Sequence, residues 1–197
     1  MLFSNSVAAL AAFAITGVSA GIRIPKLWPC WPVCPSPPDP CDAVTNQVQN
    51  GGFDSPLSGL PWVFTGMQIT KNKPRSSPQA ALSNIQTTVQ KNSMIQSVTL
   101  EKGKTYTLRY YWAIVSGTIA TNQDCYISAG VDQTNLNSLL LTATPQGTYN
   151  QHDFTFKAPA VSTLQFIVYC NKLPAPLSVN VDDVSIYEKV KGCDIPE

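Results

Sequence analysis

The sequence predicts an all-β protein: a single jelly-roll β-sandwich preceded by a Pro/Cys-rich N-terminal arm. Two observations carry this reading. Between Cys41 and Cys193, short runs alternate apolar and polar residues with period two and are divided by turn signals, the pattern of a sandwich or barrel. Beyond the first twenty residues, no window of eleven or more keeps a helical period.

The elements follow in order. Val7–Ile15 is an uncharged apolar run followed by Gly17-Val18-Ser19-Ala20. This reads as a secretory signal peptide over residues 1–20, and the run is too short to span a bilayer. Its n-region carries no Lys or Arg, and no second apolar run follows, so the expected product is extracellular and not membrane-bound. Residues 21–43 form an arm. Seven of the sixteen prolines fall between Pro25 and Pro40, beside Trp28 and Trp31. That density excludes helix and central strand and favours extended chain. The arm reads either as a stiff spacer or as an aromatic tip for sugar contact.

Residues 44–190 make the β domain, and 191–197 a polar tail. Val48–Phe53 leads into a turn-rich piece, and Trp62–Thr70 reads as one strand. Lys71–Pro78 is a loop. Gln79–Ser83 and Ile85–Val89 are weaker strand signals. Met94, Gln96, Val98 and Leu100 alternate, and Glu101-Lys102-Gly103-Lys104 makes a hairpin turn. The next strand is the strongest: Tyr106, Leu108, Tyr110, Trp112 and Ile114 share one face, while Thr107, Arg109, Tyr111 and Ala113 share the other. Cys125, Ile127, Ala129 and Val131 form an inward set, with Tyr126 outward. Leu139–Leu141, Phe154/Phe156 and Leu164/Phe166/Val168/Cys170 follow. Trp62 and Trp112 are assigned to the core. In the last strand, Leu177–Tyr187, the phase of Val179 and Val181 slips by one against Val184 and Ile186. The slip falls on Asp182–Asp183 and implies a β-bulge.

Six cysteines in a secreted chain imply three disulfides, with fifteen pairings formally open. Cys125 and Cys170 both sit in phase with inward residues, so a core bridge between them is expected. Cys41 and Cys193 flank the domain and suit a bridge joining its ends, which leaves Cys30 and Cys34 for a local loop.

Lys+Arg 13 against Asp+Glu 12 argues against nucleic acid or an anionic membrane as partner. Catalysis is poorly provided for. The single histidine, His152, adjoins Asp153 in a strand, where neighbours face opposite sides, and reads as a surface or edge residue. Glycoside hydrolysis needs two carboxylates facing across a cleft, whereas Glu101 sits in a hairpin turn and Glu188 at the end of a strand. An enzyme is not expected. The acidic residues fit a structural calcium instead, which takes six to eight oxygens. Asp54, with Gly52 allowing close backbone approach, lies near the start of the domain, and Asp182 and Asp183 lie near its end. The alternative is that Asp54 begins a turn and the Asp pair is exposed at a bulge. No N-x-S/T sequon occurs, so N-glycosylation is not expected.

Asn50-Gly51-Gly52-Phe53-Asp54, Pro61-Trp62, Met94-Ile95-Gln96-Ser97-Val98, Gly103-Lys104-Thr105-Tyr106-Thr107-Leu108 and Val181-Asp182-Asp183-Val184-Ser185 occur in that order. Together they resemble the carbohydrate-binding modules of families 4 and 9, the CenC type, and most of all the versions in secreted fungal proteins. The paired Cys125 and Cys170 share in that likeness, which covers roughly Val44–Glu188. Asp54 stands where glutamate is commoner, and Tyr149 where a tryptophan often begins the late strand. The resemblance implies a galactose-binding-like sandwich, a structural calcium in many members, and polysaccharide or glycan recognition on a sheet face or loop rim. The outward residues Arg109, Tyr111, Tyr126, Gln165 and Tyr169 have the chemistry for it, and they share a face if their strands adjoin in one sheet. The expected function is non-catalytic binding of cell-wall polysaccharide or oligosaccharide; the alternative is a structural or protein-interaction module that keeps the fold without a sugar site.

Overall fold

Alternation along each strand gives this chain two apolar surfaces that can be buried only against each other, and that is how it folds. The computed structural model describes Cys41 and residues 44–194 apart from 56–58, 77, 122, 133–135, 161 and 173–175. The expected signal peptide, Trp28, Trp31, Cys30 and Cys34 lie outside the described residues.

Ten strands form two antiparallel five-stranded sheets. The strands are β1 (Val63–Thr65), β2 (Met67–Thr70), β3 (Ala80–Ile85), β4 (Lys91–Ser97), β5 (Thr105–Ser116), β6 (Asp124–Val131), β7 (Leu136–Leu140), β8 (Asn150–Lys157), β9 (Thr163–Lys172) and β10 (Leu177–Glu188). One sheet runs β1-β4-β9-β6-β7 and the other β2-β3-β10-β5-β8. Between them lies one main core. Phe53, Met94, Leu108, Tyr110, Ile127, Phe166, Val181 and Ile186 are fully shielded in it, and Trp62 and Trp112 are buried as expected. Each large side chain so placed contributes roughly 1.5–3 kcal/mol of hydrophobic stabilisation.

The run Trp62–Thr70 is two strands rather than one. At Gly66 the backbone takes φ +74°, and the chain passes from the first sheet to the second. A side chain there would meet the Asn92 carboxamide, so the crossing needs glycine. The Glu101–Lys104 turn closes with Lys104 N–H on the Glu101 carbonyl at 3.1 Å and Gly103 at φ +84°.

Both expected domain bridges are present. Cys125 lies directly opposite Cys170, and Cys41 bonds Cys193, 152 positions further along the sequence. The entering segment is drawn in further by hydrogen bonds. Gln47 N–H donates to the Ile186 carbonyl at 2.9 Å, and Val184 N–H to Gly51 at 3.0 Å. Buried Gln96 accepts from Gln49 N–H at 2.9 Å and donates to its carbonyl at 2.8 Å.

The bulge predicted at Asp182–Asp183 is in place. Asp182 pairs with Tyr111 and Ser185 with Arg109, so two residues of β10 stand against Tyr110 alone. Asp183 takes φ +47°, a conformation aspartate tolerates better than most residues.

Candidate functional site

The five residues expected to share a face do not. Arg109 and Tyr111 lie on β5 in the second sheet, whereas Tyr126, Gln165 and Tyr169 lie on β6 and β9 in the first. Both sets point away from the core, so they occupy opposite outer faces of the sandwich. Strand phase decides inward or outward, but not which sheet a strand joins.

The outer face of the second sheet is partly roofed. Asn180, fully buried on β10, donates from Nδ2 to the Asn72 and Lys73 carbonyls at 2.9 and 3.1 Å. Tyr149 donates its hydroxyl to Lys73 at 2.9 Å. Beneath them Leu82, Ala113 and Val115 form a small second apolar cluster. Arg109 is committed to Asp153, with Nε at 3.1 Å and Nη2 at 3.1 Å from its carboxylate. Tyr111 donates to Gln151 at 2.8 Å, and the Arg75 guanidinium carbon lies 3.5 Å from its ring centroid. A sugar would find that ring face occupied. A groove of about 870 Å³ runs beside this surface, lined by Thr105, Thr107, Arg109, Glu188 and Lys191.

The outer face of the first sheet is open among the described residues. Strand register arranges it in rows. Lys91, Tyr169, Tyr126 and Leu140 stand side by side. Next come Thr65, Ser93, Ile167, Ser128 and Ser138, then Val63, Ile95, Gln165, Gly130 and Leu136. Tyr126 and Tyr169 stack with centroids 5.4 Å apart and planes 22° from parallel, and the Lys91 ammonium lies 5.7 Å from the Tyr169 ring. Val63 is 59% exposed and Leu140 46%. Gly130 sets no side chain between Gln165 and Leu136, and a depression of about 250 Å³ opens nearby, lined by Ile95, Asp132, Thr163 and Gln165. Of the residues expected from sequence, Tyr126, Gln165 and Tyr169 lie on this face. Lys91, Ser93 and Ser138 join them there, their outward phase legible but their neighbours across the sheet not, and Ser128 is buried with its hydroxyl 2.6 Å from that of Ser138.

Asp54 and Asp183 do approach each other: a Cβ at Gly52 would lie 3.0 Å from Asp54 Oδ2 and 3.3 Å from Asp183 Oδ1. The Asp54 pKa is raised from its ordinary value by loss of solvent and then by the Asp183 charge. Asp182 is fully buried, and burial pushes it up to about 7 against the pull of the backbone N–H bonds it accepts. However, every oxygen of the pair already has a protein donor. Asp182 accepts from Arg75 N–H and Asp183 N–H, both at 2.8 Å. Asp183 accepts from the Arg75 guanidinium and the Ser76 hydroxyl, both at 2.6 Å. Among the described residues, no three His, Cys, Asp or Glu side chains cluster, so a calcium ion here would draw further oxygens from backbone carbonyls or water. Arg75 and Ser76 hold the Asp183 oxygens it would share.

His152 lies on β8, an edge strand of the second sheet, as the edge reading expected. It is half-buried, 5.3 Å from the Tyr110 ring, with Nε2 3.0 Å from Asn137 Oδ1, and burial lowers its pKa. Asp153 faces the opposite way, onto Arg109. Glu101 and Glu188 are both held by Lys104, at 2.8 and 3.0 Å.

The two stacked antiparallel sheets make a β-sandwich, with paired aromatics and hydroxyls on the outer face of the first sheet. Residues 45–176 match the model of the carbohydrate binding domain family CBM_4_9, and the chain belongs to that family. No curated protein matches it in sequence. Among solved structures it is similar to TmCBM61 in complex with β-1,4-galactotriose, with 13% identity and a TM-score of 0.53, covering 74% of this chain and 99% of that one. It is also similar to the CBM22-1–CBM22-2 tandem of Xyn10C from Paenibacillus barcinonensis, with 15% identity, a TM-score of 0.51 and coverage of 79% and 52%. A third is the arabinose-bound MgGH51 α-L-arabinofuranosidase, with 13% identity, a TM-score of 0.51 and coverage of 72% and 26%. The chain thus spans about half and about a quarter of the last two. At these identities the likeness is one of fold.

Proposed function

We propose that this is a secreted, non-catalytic carbohydrate-binding protein that recognises cell-wall polysaccharide or oligosaccharide on the outer face of the β1-β4-β9-β6-β7 sheet. The Tyr126–Tyr169 ridge, flanked by rows of hydroxyl and amide groups on a face left open among the described residues, carries the reading. Pyranose rings offer an apolar face to aromatic side chains and a rim of hydroxyls to groups such as Ser93, Ser138 and Gln165. Five strands span about 19 Å at the usual interstrand spacing, enough for a short stretch of glycan lying across them. The second sheet supports the role less well, because the Tyr111 ring is covered and Arg109 is paired.

Secretion is supported by the signal-peptide-like start and the two disulfides. No described helix is long and apolar enough to cross a membrane. The non-catalytic role is supported by the engagement of Glu101 and Glu188 with one lysine and of His152 with Asn137.

Pull-down on insoluble glucan, xylan and chitin, followed by affinity measurement on whichever retains the protein, tests the proposal. Tyr126→Ala and Tyr169→Ala are each expected to weaken binding about tenfold, and Tyr111→Ala to leave it unchanged. Loss of binding only in Tyr111→Ala would move the site to the other face. A folded protein retained by none of these polymers favours the interaction-module alternative, and hydrolysis of any of them would overturn the non-catalytic role.

A further inference from the structure

The acidic cluster joining the two ends of the domain has a cation beside it already. The bulge holds Asp183 at positive φ and turns its carboxylate toward Asp54 across Gly52. Two acids so close repel unless a positive charge compensates, and the raised pKa of Asp54 reflects that repulsion in part. The Arg75 guanidinium meets Asp183 Oδ2 at 2.6 Å. Its outer surface rests on the Tyr111 ring, a contact that suits the planar, weakly hydrated guanidinium better than an ammonium. The loop carrying Arg75 is fixed to the sheet by Asn180 and Tyr149, and by Arg75 N–H on Asp182. The charge is therefore positioned by backbone, by stacking and by a salt bridge at once.

We infer that the chain neutralises this cluster with its own arginine, so that Arg75 occupies the place a divalent cation would need and the fold is independent of metal. A metal at Asp183 would compete with the guanidinium and the Ser76 hydroxyl for its two oxygens, and both of these donors are tethered to the site.

The test is thermal unfolding of the full chain in excess chelator and in millimolar calcium, with Arg75→Gln and Arg75→Lys beside it. The wild type is expected to melt at the same temperature in both solutions. Arg75→Gln is expected to melt several degrees lower in chelator, with Arg75→Lys between the two. Should Arg75→Gln fail to fold while Arg75→Lys folds, the need for a tethered cation is upheld. A wild-type midpoint that rises in calcium over chelator overturns the inference, and so does an Arg75→Gln protein as stable in chelator as the wild type.

Discussion

Burial holds the Asp182 carboxyl up to about 7, well above its value in an unfolded chain, near 3.9. The folded state therefore keeps the proton that the unfolded state has released. The stability this contributes is fully present below the unfolded pKa and is lost as pH rises through about 7. His152 behaves in the opposite sense. Its folded pKa is lowered by burial, opposed by Asp153, so its contribution is present above about 6.5 and is lost as pH falls through the lowered value. Melting temperatures taken across pH should separate the two. Relative to the wild type, Asp182→Asn should gain as pH rises from about 4 to about 8, on the order of a few kcal/mol. His152→Gln, which can still hydrogen-bond Asn137, should gain only on the acid side. Parallel profiles for either variant and the wild type would remove that residue from the account.

Among the elements, the opening Asn50-Gly51-Gly52-Phe53 and the bulge of β10 act as one joint. Gly51 carries no side chain because the Val184 backbone carbonyl lies where its Cβ would be, while Val184 N–H bonds the Gly51 carbonyl. Asn50 at φ +50° donates to the Leu60 carbonyl at 2.9 Å and accepts from Ser55 N–H at 3.0 Å, which aims Phe53 into the core against Trp62. Gly51→Ala should therefore cost about 3 kcal/mol through backbone displacement, measured by chemical denaturation. Gly103→Ala, with open space around it, would suffer only the strain of its positive φ. Much of this was legible in sequence. The phase slip at Asp182–Asp183 marked the bulge, and the inward phase of Cys125 and Cys170 marked their bridge. The crossing at Gly66 was not, because apolar residues continue on both sides of it and periodicity sees only one run. The division of the tyrosines between two faces was hidden for a related reason: alternation is local, and sheet order depends on pairings tens of residues apart. Arg75 gave no signal at all, since a lone arginine in a polar loop looks solvated until the loop folds back on β10.

At the scale of the molecule, both ends of the sandwich are fastened at one corner. The Cys41–Cys193 bridge closes 152 residues, with its Cα atoms 5.4 Å apart, and a loop of that size stabilises chiefly by restricting the unfolded chain. Replacing both cysteines with serine should cost about 2–5 kcal/mol, read from denaturant midpoints under non-reducing conditions. An unchanged midpoint would mean that the Gln47, Gly51 and Gln96 backbone bonds hold the corner unaided. The same bridge governs how the domain bears load. Tension applied through the chain before residue 41 and after residue 193 would pass from one strand end to the other along the sulfur–sulfur bond, leaving the hydrogen-bonded sheets out of the line of force.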